Sequence, residues 1–228
     1  MLKIISWTSI KYLGLGSAIL LCSACATETH RQVVPQTVET HGTAYQGQKH
    51  TLVVGNFQNR STYLQGMFST NVDNLGNQAK TILKTHLQQT NRFIVVDREN
   101  MAGLENEAKI SGVSQKLKGA NYAVTGDVTE FGRKVTGDQQ LFGILGSGKK
   151  QTAYAKVSLN IVDVTTSEII YSTQGAGEYE LSNREVVGFG GTAGYDATLN
   201  GKVLNFAITE AVNNMVRDLQ NGVWNIKQ

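Results

Sequence analysis

Apolar and polar residues alternate along Val187–Leu199, a stretch that reads V-G-F-G-G-T-A-G-Y-D-A-T-L. Its odd-numbered positions are apolar or small and its even-numbered positions are polar or small, which is the period-2 pattern of a β-strand with two different environments. About 9–11 residues suffice for a tilted strand to cross a bilayer, whereas ordinary strands average roughly 5–6 residues. The length therefore raises the question of whether the apolar face meets a protein core or lipid.

The same alternation continues N-terminal to this stretch. Apolar residues occupy every second position from Ala153 to Ile161, and a second alternating run surrounds Tyr179. Glycine-rich or polar segments separate the runs and have the composition of turns. The pattern predicts two long β-hairpins, at about 131–160 and 170–200.

The N-terminal half instead shows short buried strands alternating with amphipathic helices. The predicted strands are Thr51–Phe57, Phe93–Val96 and Tyr122–Glu130. The predicted helices are Val72–Gln89, a helix capped by Asp97 that runs to about Ala108 with Met101 and Leu104 inward, a short piece over Ser114–Lys118, and a closing helix over Val203–Leu219. The fold class is therefore α+β: a small α/β domain that carries two long β-hairpins.

The N-terminus has the features of a secretion signal of the lipoprotein type. Lys3 and Lys11 precede an apolar run, Leu13–Leu21, that is too short for a spanning helix. Cys25 follows the small residues Ser23 and Ala24 and is the predicted lipidation site. A plain signal with an incidental cysteine is the alternative reading. We expect a signal peptide at 1–24, a lipidated polar tether at 25–50 that does not pack, and one folded domain at 51–228.

Composition and motifs give little support to catalysis or nucleic-acid binding. The formal net charge is only +3, so no basic patch is indicated. His30, His41, His50 and His86 show no metal-binding spacing; the first three fall in the polar tether and His86 on a polar helix face. The glycine-rich run at 143–150 nearly matches a phosphate-binding loop, but a strand follows it where a helix is required. We expect no enzyme, no cofactor and no metal.

Five short segments, taken together, resemble the curli secretion channel family of CsgG-type outer-membrane lipoproteins. In chain order they are Leu52–Phe57 (LVVGNF), Asn91–Arg98 (NRFIVVDR), Ala120–Val128 (ANYAVTGDV), Leu159–Ile169 (LNIVDVTTSEI) and Asn221–Asn225 (NGVWN). The resemblance covers roughly residues 50–226, and the lipoprotein signal is consistent with it.

The resemblance implies a periplasmic α/β domain whose two hairpins join those of sister subunits in one oligomeric transmembrane β-barrel. It implies a homo-oligomeric ring, with nine subunits in the known channels, that is lipid-anchored on the periplasmic side of the outer membrane. The implied partners are secreted unfolded polypeptides of the curli or amyloid type and accessory assembly factors, with no nucleic acid. The hairpins of this chain are somewhat shorter than those of typical members.

The resemblance also implies roles for individual residues. Tyr63 and Phe68 match a Tyr and a Phe that narrow the family's pore, and Met67 replaces the polar residue before that Phe. The alternative is that Tyr63 and Phe68 only pack their loop onto the domain. The expected lipid-facing or interfacial aromatic residues are Tyr171, Tyr179, Phe189 and Tyr195, and the expected lumen-facing charged residues are Lys156, Glu178, Glu180 and Asp196.

A second function class stays open on the sequence alone. A periplasmic lipoprotein adaptor could carry the same α/β domain and fold its hairpins as a soluble sheet, without any pore. The two classes differ in whether the long strands meet lipid.

Overall fold

The computed structural model describes residues 35–63, 73–139, 147–184 and 199–224. These residues form five strands and three helices, in agreement with the α+β fold class. In chain order the elements are β1 (His50–Asn59), α1 (Asn74–Gln89), β2 (Phe93–Val96), α2 (Met101–Ile110), β3 (Tyr122–Gln139), β4 (Ser147–Asp163), β5 (Ile169–Arg184) and α3 (Leu199–Gln220).

One sheet contains all five described strands, in the order β2-β1-β3-β4-β5. β1 pairs in parallel with β2 and β3, while β4 pairs antiparallel with β3 and β5. The odd-numbered residues of β4 from Ala153 to Ile161 are at most 2% exposed, because α3 covers that face. The even-numbered residues of β4, from Thr152 to Asn160, are partly or fully exposed on the opposite face. The alternation that predicted this strand is thus confirmed.

A β-bulge explains why β3 extends well beyond the predicted end at Glu130. Val128 pairs with Val157, but Glu130 pairs with Lys156, so one residue of β3 has no partner of its own. The extra residue shifts the alternation, and Phe131 returns to the covered face with 4% exposure. Because the period breaks at the bulge, the sequence pattern ended the strand there, whereas β3 continues to Gln139. β4 likewise begins at Ser147, inside residues predicted as a turn.

Helix α3 packs directly onto the backbone of β5 at two glycines. A Cβ at Gly175 would lie 2.1 Å from the Ala207 carbonyl oxygen, and one at Gly177 would lie 2.7 Å from the Val203 carbonyl oxygen. No side chain fits at these distances, so glycine is required for this helix–sheet contact. Behind it the helix buries Leu204, Ile208 and the rest of its apolar face in the core.

The segment around helix α2 differs from the expectation. No residue of α2 is buried, and Leu104, predicted to face inward, is 47% exposed. Asp97 does not cap the helix; it accepts hydrogen bonds from the Asn100 side chain and the Glu99 amide, which lower the pKa of its carboxyl. Residues 113–120 form no helix or strand, so the predicted helix over Ser114–Lys118 is wrong. The apolar residues of α2 recur at a helical spacing, and this spacing was wrongly interpreted as the buried face of a helix.

Part of the predicted tether packs on the domain as an N-terminal strap, residues 36–45. Val38 is 2% exposed within the core, and the Glu39 amide donates to Asn213 Oδ1 of α3 at 3.0 Å. Farther along, Arg92 Nη1 donates to Thr43 Oγ1 at 2.8 Å. A single buried valine in a polar segment gives no periodic signal, so the sequence indicated a tether where the structure shows a packed segment.

His86 is buried, although it was predicted on a polar and exposed helix face. Its side chain is 3% exposed between α1 and α3. One ring nitrogen is 3.1 Å from Gln89 Oε1, and the other is 2.8 Å from Asn205 Oδ1 and 3.1 Å from Thr209 Oγ1. The polar partners lie on two helices, and only the tertiary packing of α1 on α3 brings them together.

We predict that Gly175→Ala lowers the free energy of unfolding by about 2 kcal/mol or more, because the new methyl group overlaps the Ala207 carbonyl. Urea denaturation of the purified protein in detergent, followed by tryptophan fluorescence, measures the change. Gly103→Ala in α2 is the matched control, since nothing lies within 4 Å of its added Cβ. Equal stability of the two variants would contradict the close contact.

Candidate functional site

The described ends of β3, β4 and β5 form a three-stranded ribbon, defined here as residues 131–139, 147–155 and 177–184. Its outer face, opposite the helices, is polar and charged. Lys150 Nζ lies 2.6 Å from Glu180 Oε2 across β4 and β5, and Lys156 Nζ lies 3.6 Å from Glu130 Oε1 at the base of the ribbon. Tyr154 lies over Gly132 of the neighbouring strand on the same face. Because it carries these charged side chains, this face of the ribbon is expected to contact water.

The opposite face of β5 carries the two described aromatic residues that were expected to meet lipid. The Tyr179 ring stacks on Phe206 of α3, with centroids 6.2 Å apart and an angle of 14°. The Tyr171 ring stacks on Trp224 at 4.8 Å, and its hydroxyl donates to Asp218 Oδ2 at 2.6 Å. Both rings therefore pack against the C-terminal part of this chain, and their lipid-facing role stays a prediction.

Several other predicted residues lie outside the described part of the chain. These are Cys25, Met67, Phe68, Phe189, Tyr195 and Asp196, together with residues 187–198 of the alternating stretch. Its last residue, Leu199, is the first residue of helix α3 rather than a strand residue.

Tyr63 lies at the base of the ribbon, where the chain leaves β1. Its ring centroid is 4.7 Å from that of Phe131, the first ribbon residue of β3. Asn200 Nδ2, at the start of α3, is 3.4 Å from the Tyr63 hydroxyl, and Asn59 Nδ2 donates to the Tyr63 carbonyl at 3.0 Å. Tyr63 thus joins the end of β1, the ribbon and α3 at one point.

Asp73 closes the loop that begins at Tyr63. One carboxylate oxygen accepts from the Gly76 amide at 2.7 Å as the N-cap of α1, and the other accepts from the Asn59 amide at 2.6 Å. A Cβ at Gly76 would collide with Asp73, so the glycine makes room for this cap. Sequence reasoning missed Asp73 because the helix was begun at Val72, although an Asp before an apolar-periodic run is a recognised start signal.

The described residues contain no group of three or more His, Cys, Asp or Glu side chains that could hold a metal ion. Among the described helices, none has both the length and the apolar character needed to span a membrane. The site therefore consists of a charged ribbon face, an aromatic residue at its base and a loop pinned by one carboxylate.

Residues 36–228 match the family model described as "Curli production assembly/transport component CsgG". The match includes the packed strap and every described strand and helix. The chain belongs to this family, which is described as an assembly and transport component.

Two curated relatives show the range of the family. The chain is 60% identical over 210 residues to "Putative lipoprotein NMB1126/NMB1164" of Neisseria meningitidis serogroup B, covering 92% of this chain and 94% of that protein. It is 27% identical over 184 residues to the curli production assembly/transport component CsgG of Salmonella typhimurium, covering 68% of this chain and 65% of that protein. The chain thus spans about two thirds of the length of the curli component.

Solved structures of similar chains give only distant matches. The PelC dodecamer from Paraburkholderia phytofirmans has a TM-score of 0.35 at 14% identity, covering 80% of this chain and 95% of that chain. Lipoprotein GNA1162 from Neisseria meningitidis has a TM-score of 0.35 at 15% identity, covering 75% and 99%.

We predict that Asp73→Ala destabilises the domain by about 1–2 kcal/mol, the usual loss for an N-cap, and frees the loop after Tyr63. Limited proteolysis at low protease concentration should cleave within residues 64–72 faster than in the wild type. Asp163→Ala, which removes a carboxylate that accepts from the turn amides of Thr165 and Thr166, is the control for a general loss of stability. Equal cleavage of the loop in both variants would show that Asp73 does not restrain it.

Proposed function

We propose that the protein is a lipid-anchored subunit of a homo-oligomeric ring in the outer membrane, and that this ring lets unfolded polypeptide chains pass. The observation that carries the proposal is the ribbon, whose two outer edges have no partner strand among the described residues. Exposed strand edges favour pairing with further strands, and closure by sister copies removes them. Membership of a family described as a transport component supports the same reading.

The charged face of the ribbon supports a water-filled interior. Lys150 pairs with Glu180, and Lys156 with Glu130, so the face carries both signs of charge and little net charge. In membrane barrels the lumen side is polar while the opposite side meets lipid. We assign the face with these ion pairs to the lumen.

The contacts of Tyr63 support a constriction at this residue. It sits at the base of the ribbon against Phe131, at the level where the domain ends and the ribbon begins. Together with Met67 and Phe68 of the same loop, it would narrow a ring of copies to a passage for an extended chain. Passage would be diffusive, and the lipid on Cys25 would hold the ring to the periplasmic leaflet.

We predict that Tyr63→Ala combined with Phe68→Ala increases single-channel conductance in planar bilayers, because the two substitutions remove two aromatic rings per subunit from the narrowest level of the pore. Tyr45→Ala removes one ring at the strap, far along the chain from the ribbon, and should leave conductance unchanged. Unchanged conductance in the Tyr63/Phe68 variant would show that these residues do not form the constriction.

A second function, a lipid-anchored adaptor without a pore, is favoured by one observation. Gln151 of β4 lies on the same side as Ala153 and Ala155, the side that the helices cover, and is a polar residue with only 9% exposure. A buried polar side chain on this face fits packing against protein better than contact with lipid. A purified, lipidated protein that forms no channels, and whose ribbon is cleaved by protease added to one side of a vesicle only, would establish the adaptor.

A further inference from the structure

We propose that the subunits of this ring join head to tail through two surfaces, an acidic groove beside β5 and a basic, apolar segment after α2. The inference rests on the proposed ring, and it assigns the contact within it. The groove is defined by Glu39, Ala176, Glu178, Phe206, Glu210 and Arg217, and the docking segment by residues 109–118. Each copy would offer its docking segment to the groove of the next copy.

The groove lies at the outer edge of the sheet. It has a volume of about 420 Å³ and is lined by the strap, by the middle of β5 and by the outward side of α3. Three glutamates and one arginine surround it, so its charge is negative. All four charged residues are exposed, and Arg217 also hydrogen-bonds to the neighbouring Asn214 side chain, so three negative charges and one positive charge lie at the rim.

The backbone of β5 is accessible along this groove. Because β5 pairs with β4 on one side only, the amides and carbonyls of its even-numbered residues point outward into the groove. Asn214 Nδ2 donates to the Gln174 carbonyl at 3.1 Å, and the Ala176 amide makes only a 3.4 Å contact with Glu210 Oε2. Side chains of α3 thus hydrogen-bond to this edge, and an extended segment that replaced them would pair with the same backbone groups.

The docking segment has the complementary properties. It contains Lys109, Lys116 and Lys118 and no acidic residue. Ile110 is 71% exposed, Val113 is 59% exposed and Leu117 is 54% exposed, so three large apolar side chains lie in water. From residue 113 onward the segment forms no helix or strand. If it pairs with β5 as an added strand, alternation would place Leu117 on one side and the two neighbouring lysines on the other.

The occupant of the groove is a second copy because the two surfaces lie at opposite edges of one sheet. β5 is the last strand on one side, and β2 is the last on the other. Arg98, just after β2, donates to the Lys118 carbonyl at 2.5 Å, which holds the docking segment beside that edge. One copy cannot satisfy both surfaces, but head-to-tail contacts of this kind close into rings. Leu117 would pack on Phe206, with the lysines at the glutamates.

Charge reversal tests the contact in the full-length, lipidated protein in detergent. The groove variant is Glu178→Lys with Glu210→Lys, and the segment variant is Lys116→Glu with Lys118→Glu. All four residues are exposed, so the fold should be retained. Each variant alone should lose the ring by size-exclusion chromatography with light scattering, with at least a tenfold rise in the concentration needed for assembly.

Two combinations make the test specific. A chain with all four reversals should form the ring again, because the reversed groove meets a reversed segment. An equimolar mixture of the two double variants should also assemble, because the groove of each variant meets an oppositely charged segment on the other; the two variants would then alternate, and a closed ring would contain an even number of subunits. Rings that are unaffected by either double variant, or no recovery in the quadruple variant, would overturn the contact and leave the proposed function standing.

A second pair of variants, one test and one control, examines the apolar part of the contact. Leu117→Asp should weaken assembly at least tenfold, whereas Val164→Asp should not, although Val164 is 51% exposed at the β4–β5 turn. Equal effects of the two substitutions would overturn the role of Leu117. A wild-type chain that runs as a single subunit would overturn both this contact and the ring of the proposed function.

Discussion

The contact between helix α3 and the two glycines of β5 determines how much of the long strands belongs to the domain. The helix runs antiparallel to β5: Phe206, near its N-terminal end, stacks on Tyr179, and Trp224, just after its C-terminal end, stacks on Tyr171. The helix backbone approaches closely at Gly175 and Gly177, so its apolar face is buried without intervening side chains. Where the helix begins, its cover of the sheet ends, and the strands continue without it. The division between domain and ribbon is therefore set by helix packing rather than by a turn or a linker.

The sequence predicted those elements whose apolar pattern is regular and whose partners are close. Phe93–Val96 was predicted with its observed bounds, and β4 was correctly predicted from Ala153 to Ile161. The errors lie where tertiary structure interrupts or overrides a period. The bulge after Val128 interrupts the alternation, so the continuation of β3 was not predicted. The exposed apolar residues after Met101 have the spacing of a buried helix face, so α2 was wrongly predicted to have an inward side. His86 shows the converse, since a polar residue on a helix became buried when two helices supplied its hydrogen-bond partners.

The candidate site was predicted in part, through family resemblance rather than through chemistry. Tyr63 was singled out, and the structure shows what no pattern could show, namely its contact with Phe131 and the start of α3. Asp73 was missed, although it pins both ends of the loop that contains Met67 and Phe68. The hydrogen bond of its carboxylate to the distant Asn59 amide depends on the folded path of the chain, so the sequence alone does not indicate it.

In the proposed lipid-anchored protein, the packed strap would limit how far the domain can stand from the membrane. With the chain anchored at Cys25, only the thirteen residue steps to the buried Val38 would be free to extend, which gives a span of at most about 45 Å at ~3.5 Å per residue. A tether that ended at His50, the first residue of β1, would be nearly twice as long. The shorter tether would confine the domain to a layer beside its own leaflet, so that anchored copies would meet one another on a surface rather than in a volume. That confinement would favour assembly at low copy number before any contact between subunits is made.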